Sequence, residues 1–288
     1  MAPTPAAWTG VLDEVEVRTA LDRARVLSAL HPVAEVGSTQ DLAASLASQG
    51  APGGLVVVAD RQTSGRGRSG RGWDDRPDGG TLAVTLLLDV GAQIPSADRT
   101  VGLVPHALGL AVLRTCMRLA PELAGLGLKW PNDVVHREDP AAPPRKVAGV
   151  LVEREQVGAP RRPRDVLLCG IGLNVDLGHP GEHDRVCLGA LAGRAPDRTA
   201  LLATLLGELD QVLVELAAHL DTLVADYRRA SDTIGRRVRV EAAGAVRHEG
   251  VVQGVDDTGR LLVATGAETH AILSGTIRDA IDGTEPTS

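Results

Sequence analysis

The twelve residues from Gln62 to Trp73 restrict this chain more than any other stretch. Four glycines (Gly65, Gly67, Gly70, Gly72) alternate with three arginines (Arg66, Arg68, Arg71), and Trp73 closes the run. Such a run suits neither a helix nor a strand interior, where each glycine costs roughly 0.5–1 kcal/mol relative to alanine. It directly follows an apolar strand candidate, Leu55-Val56-Val57-Val58-Ala59-Asp60. The fold must therefore present a loop at the end of a buried strand. Glycine lets backbone approach a ligand and turns its N–H groups toward anions. Arginine adds a planar cation that matches phosphate or carboxylate. The run reads as a mobile loop closing over an anionic ligand; a plain surface loop and an arginine–glycine nucleic-acid segment are the other readings. It is one short loop in a chain of formal charge -7, which disfavours general nucleic-acid affinity.

The core has to come from the remainder. Of the 288 residues 43% are hydrophobic, but there is no Phe and one Tyr, so Leu, Val and Ala must fill the interior. Cys116, Cys169 and Cys187 are widely spaced without a CxxC pair. That argues against a disulfide framework or structural zinc and fits a reducing cytoplasm. The start, Met1 to Trp8, has neither the basic residues nor the apolar run of a signal peptide. No apolar run reads as long enough to span a membrane.

Periodicity predicts a loose tail over 1–12 and a helix over 15–30 (Val17, Leu21, Val26, Leu30), stopped by Pro32. A short strand at 34–36 follows. Ser38, with Asp41 three residues on, opens a helix to Gln49. Ser38 reads as a helix cap that, with Thr39, could also bond a neutral polar ligand. Asp74 to Gly80 is turn chemistry, 81–90 a strand, and 98–120 a helix in which His106 packs rather than ligates. Another strand ends at Trp130-Pro131 and puts Asn132 and Asp133 at its mouth; with Lys129 they suit a nucleotide and its magnesium, or an ordinary turn. Lys146 begins a strand over 146–153, either reaching into a site or ending in solvent. After an exposed tip at 160–164 the chain returns over 165–174, and Gly170-Ile171-Gly172-Leu173-Asn174 implies close backbone approach. His179 and His183 flank Pro180-Gly181, which denies them a common helical face for a metal. One long helix is expected over 199–230. Short strands at 237–240, 246–255, 261–264 and 270–273 then form a small all-β module, before a disordered tail.

These motifs together resemble the biotin protein ligase family over nearly the whole length. Gly65 to Trp73 is similar to its biotin-and-adenylate loop, Gly37-Ser38-Thr39 to its GST(N) motif and Lys129 to Asp133 to KWPND. Lys146-Val147-Ala148-Gly149 is similar to K(L)AG, and Gly170 to Asn174 to GxGxN. Gln40 stands where Asn is usual, and Val147 where Leu is. The resemblance implies an α+β fold: a mixed-sheet catalytic domain with packed helices, class II synthetase-like, over 1–232, a C-terminal SH3-like β-barrel over 233–282 and a tail over 283–288. It implies ATP-dependent activation of biotin to biotinyl-5′-AMP and transfer to a lysine of a biotin carboxyl carrier domain of a carboxylase. Lys146 and Arg68 are the implied catalytic groups. Ser38, Thr39, Gln40, Gln62, Arg66, Gly67, Arg68 and Lys146 would bind biotin. Arg71, Trp73, Lys129, Asn132 and Asn174 would bind ATP, and Asp133 a Mg2+ ion. Thirty-six residues precede Gly37, which resembles the monofunctional class without a DNA-binding winged helix. A lipoate–protein ligase-like enzyme shares this architecture but carries a different loop motif. A nucleic-acid-binding protein conflicts with the acidic charge and scarce aromatics. Neither nucleic acid nor membrane is an expected partner.

Overall fold

The computed structural model describes residues 12–73, 80–158, 163–176, 184–242 and 244–280. The tail over 1–11, the turn at 74–79, the tip at 160–162, His179, His183 and the tail from 281 lie outside those residues. In chain order the elements are α1 (Glu14–Leu21), β1 (Ala29–Val36), α2 (Thr39–Ser48), β2 (Leu55–Gln62), β3 (Gly65–Arg66), β4 (Gly72–Trp73) and β5 (Thr81–Asp89). Then come α3 (Asp98–Leu119), β6 (Leu126–Lys129), β7 (Asp133–His136), β8 (Arg145–Val157), β9 (Arg164–Asn174), α4 (Leu188–Ala192), α5 (Arg198–Ala218) and α6 (Leu220–Ala230). The chain ends in β10 (Arg237–Ala242), β11 (Ala245–Val255), β12 (Leu261–Thr265), β13 (Glu268–Ile272) and β14 (Thr276–Asp279).

The larger sheet has seven strands in the order β1-β2-β5-β9-β8-β7-β6. Only β1 and β2 run parallel; the other pairs are antiparallel. Its central strands are covered on both faces, which is why β5 reads as an apolar run interrupted only by Thr85. Alternate residues divide between the faces. Val56, Val58, Leu82, Val84, Leu86 and Leu88 pack in one cluster with α3 and α5. Leu55, Val57, Leu87, Val166 and Leu168 pack in another with Ala43 and Ala47 of α2. The expected mixed sheet with packed helices is therefore present, built from aliphatic side chains. By length and composition α3 could cross a bilayer, contrary to the sequence expectation. Its apolar window is 72% buried against the sheet and α5, so it serves as the core helix.

Two helical expectations fail for local reasons. The helix expected over 15–30 stops at Leu21, because the buried Asp210 carboxylate accepts the N–H groups of Arg25, Val26 and Leu27 at 2.7–3.1 Å. That anchors an extended chain which enters β1 through Pro32. Proline is tolerated there because β1 is the sheet edge. The single helix expected over 199–230 breaks at His219, whose φ of -137° and ψ of 44° end α5 and redirect α6.

The C-terminal strands form an antiparallel sheet in the order β13-β12-β11-β10-β14, consistent with an SH3-like module. Among the described residues no pairing of β13 with β14 closes it into the expected barrel. It docks on the larger sheet: Trp130 Nε1 donates to the Gly259 carbonyl (2.9 Å), and Asp232 N to the Leu128 carbonyl (2.9 Å).

Candidate active site

The arginine–glycine run leaves β2 and folds on itself. β3 and β4 pair, Gly67 N donates to the Arg71 carbonyl (2.7 Å), and Gly70 takes a φ of +71° that side chains avoid. The hairpin ends by laying Trp73 across β8 and β9. A Cβ on Gly172 would lie 2.4 Å from Trp73 Cε2, and one on Gly149 2.6 Å from Lys146 Nζ. The close approach implied by Gly170-x-Gly172 is thus made by a side chain of the same protein. Arg66 ties the hairpin down through ion pairs to Asp41 (2.6 Å) and Glu153 (2.5 Å). The hydrogen bond to Asp41, more than any other contact, raises its pKa.

Beneath Trp73 lies a narrow pocket of about 50 Å3, lined by Ser38, Thr39, Gln40, Gln62 and the backbone of Gly67 among others. Ser38 caps α2, its Oγ accepting from Gln40 N (3.2 Å) and Asp41 N (3.5 Å). A hydroxyl relay crosses the floor: Thr85 donates to Thr39 Oγ1 (2.9 Å), which donates to Gln62 Oε1 (3.0 Å). Gln40 fills the usual Asn position differently from a ligand contact. Its Nε2 donates to Glu153 Oε2 and to the Leu168 carbonyl, both at 3.0 Å, so both donors face the sheet.

This pocket opens into a cavity of about 410 Å3. Six cationic residues line it (Arg68, Arg71, Lys129, Lys146, Arg185, Arg278) against two acidic ones, Asp133 and Asp184. In a chain of formal charge -7 such a concentration creates a field suited to a polyanion. Arg68 Nη1 donates to Asn132 Oδ1 (2.8 Å), and Asn132 Nδ2 to the Val150 carbonyl (2.7 Å), so the loop is held to the mouth of β6. Burial lowers the Arg68 pKa from a very high ordinary value. Burial also pulls the Lys129 pKa down, while Asp133 and Asp279 draw it back up. The Lys146 tip, expected in solvent on one reading, pairs with Asp133 Oδ1 at 2.8 Å and lies 5.1 Å from the centre of the Trp73 ring.

Of the residues singled out from sequence, only Asn174 lines neither space. Its Nδ2 donates to the carbonyls of Lys146 (3.0 Å) and Val186 (3.4 Å), so it braces the backbone that carries Lys146. Sequence reasoning missed Thr85, Glu153, Arg185 and the β14 residues Thr276 to Arg278. The first two are ordinary strand residues. Arg185 follows a stretch without periodicity, and β14 is too short to register as a strand.

Residues 33–174 match the model of the biotin/lipoate A/B protein ligase family, and residues 233–278 that of the biotin protein ligase C-terminal domain. The chain is 37% identical to biotin–[acetyl-CoA-carboxylase] ligase of Mycobacterium tuberculosis, across 86% of this chain and 88% of that protein. It is 30% identical to the ligase of the same name from Paracoccus denitrificans, across 83% and 96%. Among solved structures, biotin protein ligase from Aquifex aeolicus in complex with biotin and ATP superposes with a TM-score of 0.71 at 29% identity, covering 87% of this chain and 99% of that one. Shared motifs, shared fold and a likeness that runs through both sheets lead to one assignment: the chain belongs to the biotin protein ligase family.

Proposed function

We propose that this protein activates biotin with ATP and passes it to a lysine of a biotin carboxyl carrier domain. The observation that carries this reading is the junction of the two spaces at Arg68 and Lys146. A narrow pocket opens there into a cavity whose charged lining residues are mainly cations. The ureido ring suits Ser38, the Thr39–Gln62 relay and the backbone at Arg66 and Gly67. The valerate carboxylate then reaches Arg68 and Lys146, where it meets the α-phosphate of ATP. Attack of a carboxylate oxygen on the α-phosphorus breaks its bond to the bridging oxygen and releases pyrophosphate. Two anions approach in this step, and at ~4 Å one unit charge pair contributes about 4 kcal/mol at an effective dielectric near 20. Fixed cations therefore lower the barrier by several powers of ten, at about 1.4 kcal/mol each. In the second step a carrier lysine amine attacks the acyl carbon, AMP leaves and the amine loses its proton.

Asn132, Lys129, Arg71 and Trp73 are assigned to the nucleotide, and Asn174 to bracing Lys146. Among the described residues no three His, Cys, Asp or Glu side chains converge as a metal cage. Asp133 would be the protein carboxylate for a Mg2+ ion, which would neutralise the polyphosphate. We assign catalysis to residues 1–232 and the C-terminal module to 233–282, with the cytoplasm as location. Two features favour biotin over lipoate: the match to the biotin protein ligase C-terminal domain and the names of the similar ligases. Incubation with biotin, MgATP and an apo carrier domain should add one biotinyl mass to the carrier lysine. A carrier of unchanged mass, with active carrier confirmed by a known ligase, contradicts the transfer step.

A further inference from the structure

Behind the cationic cavity Arg137 lies almost wholly buried, its side chain 5% exposed. Its guanidinium makes a two-pronged bond to Asp232, Nε to Oδ1 (2.8 Å) and Nη2 to Oδ2 (2.7 Å). Nη1 donates to Asp279 Oδ2 (2.9 Å) and to the Ala142 carbonyl. Asp232 lies where the chain passes from the larger sheet to the smaller, its N–H on the Leu128 carbonyl of β6. Asp279 is the last residue of β14, and the three residues before it, Thr276 to Arg278, form one wall of the cavity. Arg71 from the glycine-rich loop reaches Thr276 Oγ1 across that cavity at 3.5 Å. One buried cation thus joins the end of β7, the inter-sheet crossing and the strand that faces the nucleotide space.

We propose that Arg137 is a positioning residue for adenylation, holding β14 against the larger sheet so that Thr276 and Arg278 close the nucleotide side of the cavity. The inference rests on the adenylation reading above and adds a residue that touches no substrate. The pocket beneath Trp73 is lined from α2, β2, β5, β8, β9, the glycine-rich hairpin and Asn132, with no residue of the smaller sheet. Loss of Arg137 should therefore affect ATP and spare biotin. Arg137 also keeps Asp279 engaged; freed, that carboxylate would draw on Lys129, whose charge it already feels.

The test measures KM for ATP in biotin-dependent pyrophosphate exchange, alongside biotin affinity by calorimetry and thermal melting. Arg137→Met should raise KM for ATP by roughly tenfold or more and leave biotin Kd within about twofold. Arg137→Lys, which keeps charge but not the two-pronged geometry, should recover part of the loss. Asp279→Asn removes one arm only and should raise KM for ATP in the same direction; it decides the matter if Arg137→Met does not fold. KM for ATP unchanged in Asp279→Asn, or in a folded Arg137→Met whose Tm has dropped, would reduce Arg137 to a structural tie and overturn the proposal. Absence of biotin-dependent exchange in the unaltered protein would instead overturn the adenylation reading.

Discussion

Lys146 is held by its surroundings rather than left to solvent, and its role follows from that. Asn174 fixes its carbonyl, Asp184 accepts its N–H at 2.7 Å, and Asp133 and Trp73 hold its ammonium. A cation fixed in this way needs little reorganisation as charge gathers at the α-phosphorus. Lys146→Ala should slow single-turnover formation of biotinyl-AMP by roughly two to four powers of ten, about 3–5 kcal/mol. Biotin affinity should fall much less, because the proposed seat of the ureido ring is at Ser38, Thr39 and Gln62. The lost ion pair is partly exposed, so melting should shift by no more than about 1 kcal/mol of stability. Adenylation at the unaltered rate would make Lys146 a bystander. Part of this scale was legible: the five motifs contain just over half of the residues around the two spaces, among them Arg68, Asn132 and Lys146. Direction was not legible. Nothing in the letters distinguishes Gln40 turned toward Glu153, or Asn174 turned toward backbone carbonyls, from side chains turned toward a ligand.

At the scale of elements, the packing of α3, α6 and the β11–β12 turn depends on one imidazole. His106 is buried edge-on against Tyr227, with ring centroids 4.6 Å apart, and a Cβ on Gly259 would touch it at 2.7 Å. Burial, only partly offset by the nearby Gly102 and Gly259 carbonyls, lowers its pKa from 6.5 to about 4. The unfolded chain then binds the extra proton between those values, so stability is lost as pH falls through that window and unaffected above it. The loss should approach about 3 kcal/mol at the acid end. His106→Gln should flatten this part of the melting-versus-pH curve, and equal slopes for the two proteins between pH 6.5 and 4 would refute the assignment. The central strands and α3 were readable because they are long and predominantly apolar. The breaks at Leu21 and His219 were not. The first depends on Asp210, nearly two hundred residues away in sequence, and the second on how α6 packs against α3 and α5.

For the molecule as a whole, charge distribution says more than charge. The chain is acidic, yet six cationic residues line one cavity between two sheets. Sequence order alone showed that two units follow one another, but not that β14 of the second forms a wall of the site in the first. That arrangement requires the Trp130–Gly259 bond and the buried Arg137 cluster, both long-range contacts. The central claim is that this joint site adenylates biotin. ATP–pyrophosphate exchange tests it most directly, run without any carrier protein and with biotin or lipoate as the sole acid. The account predicts exchange that depends on biotin and exceeds that with lipoate by roughly a hundredfold or more, as expected when buried polar groups must all be matched. Exchange driven by lipoate, or by neither acid, would contradict it.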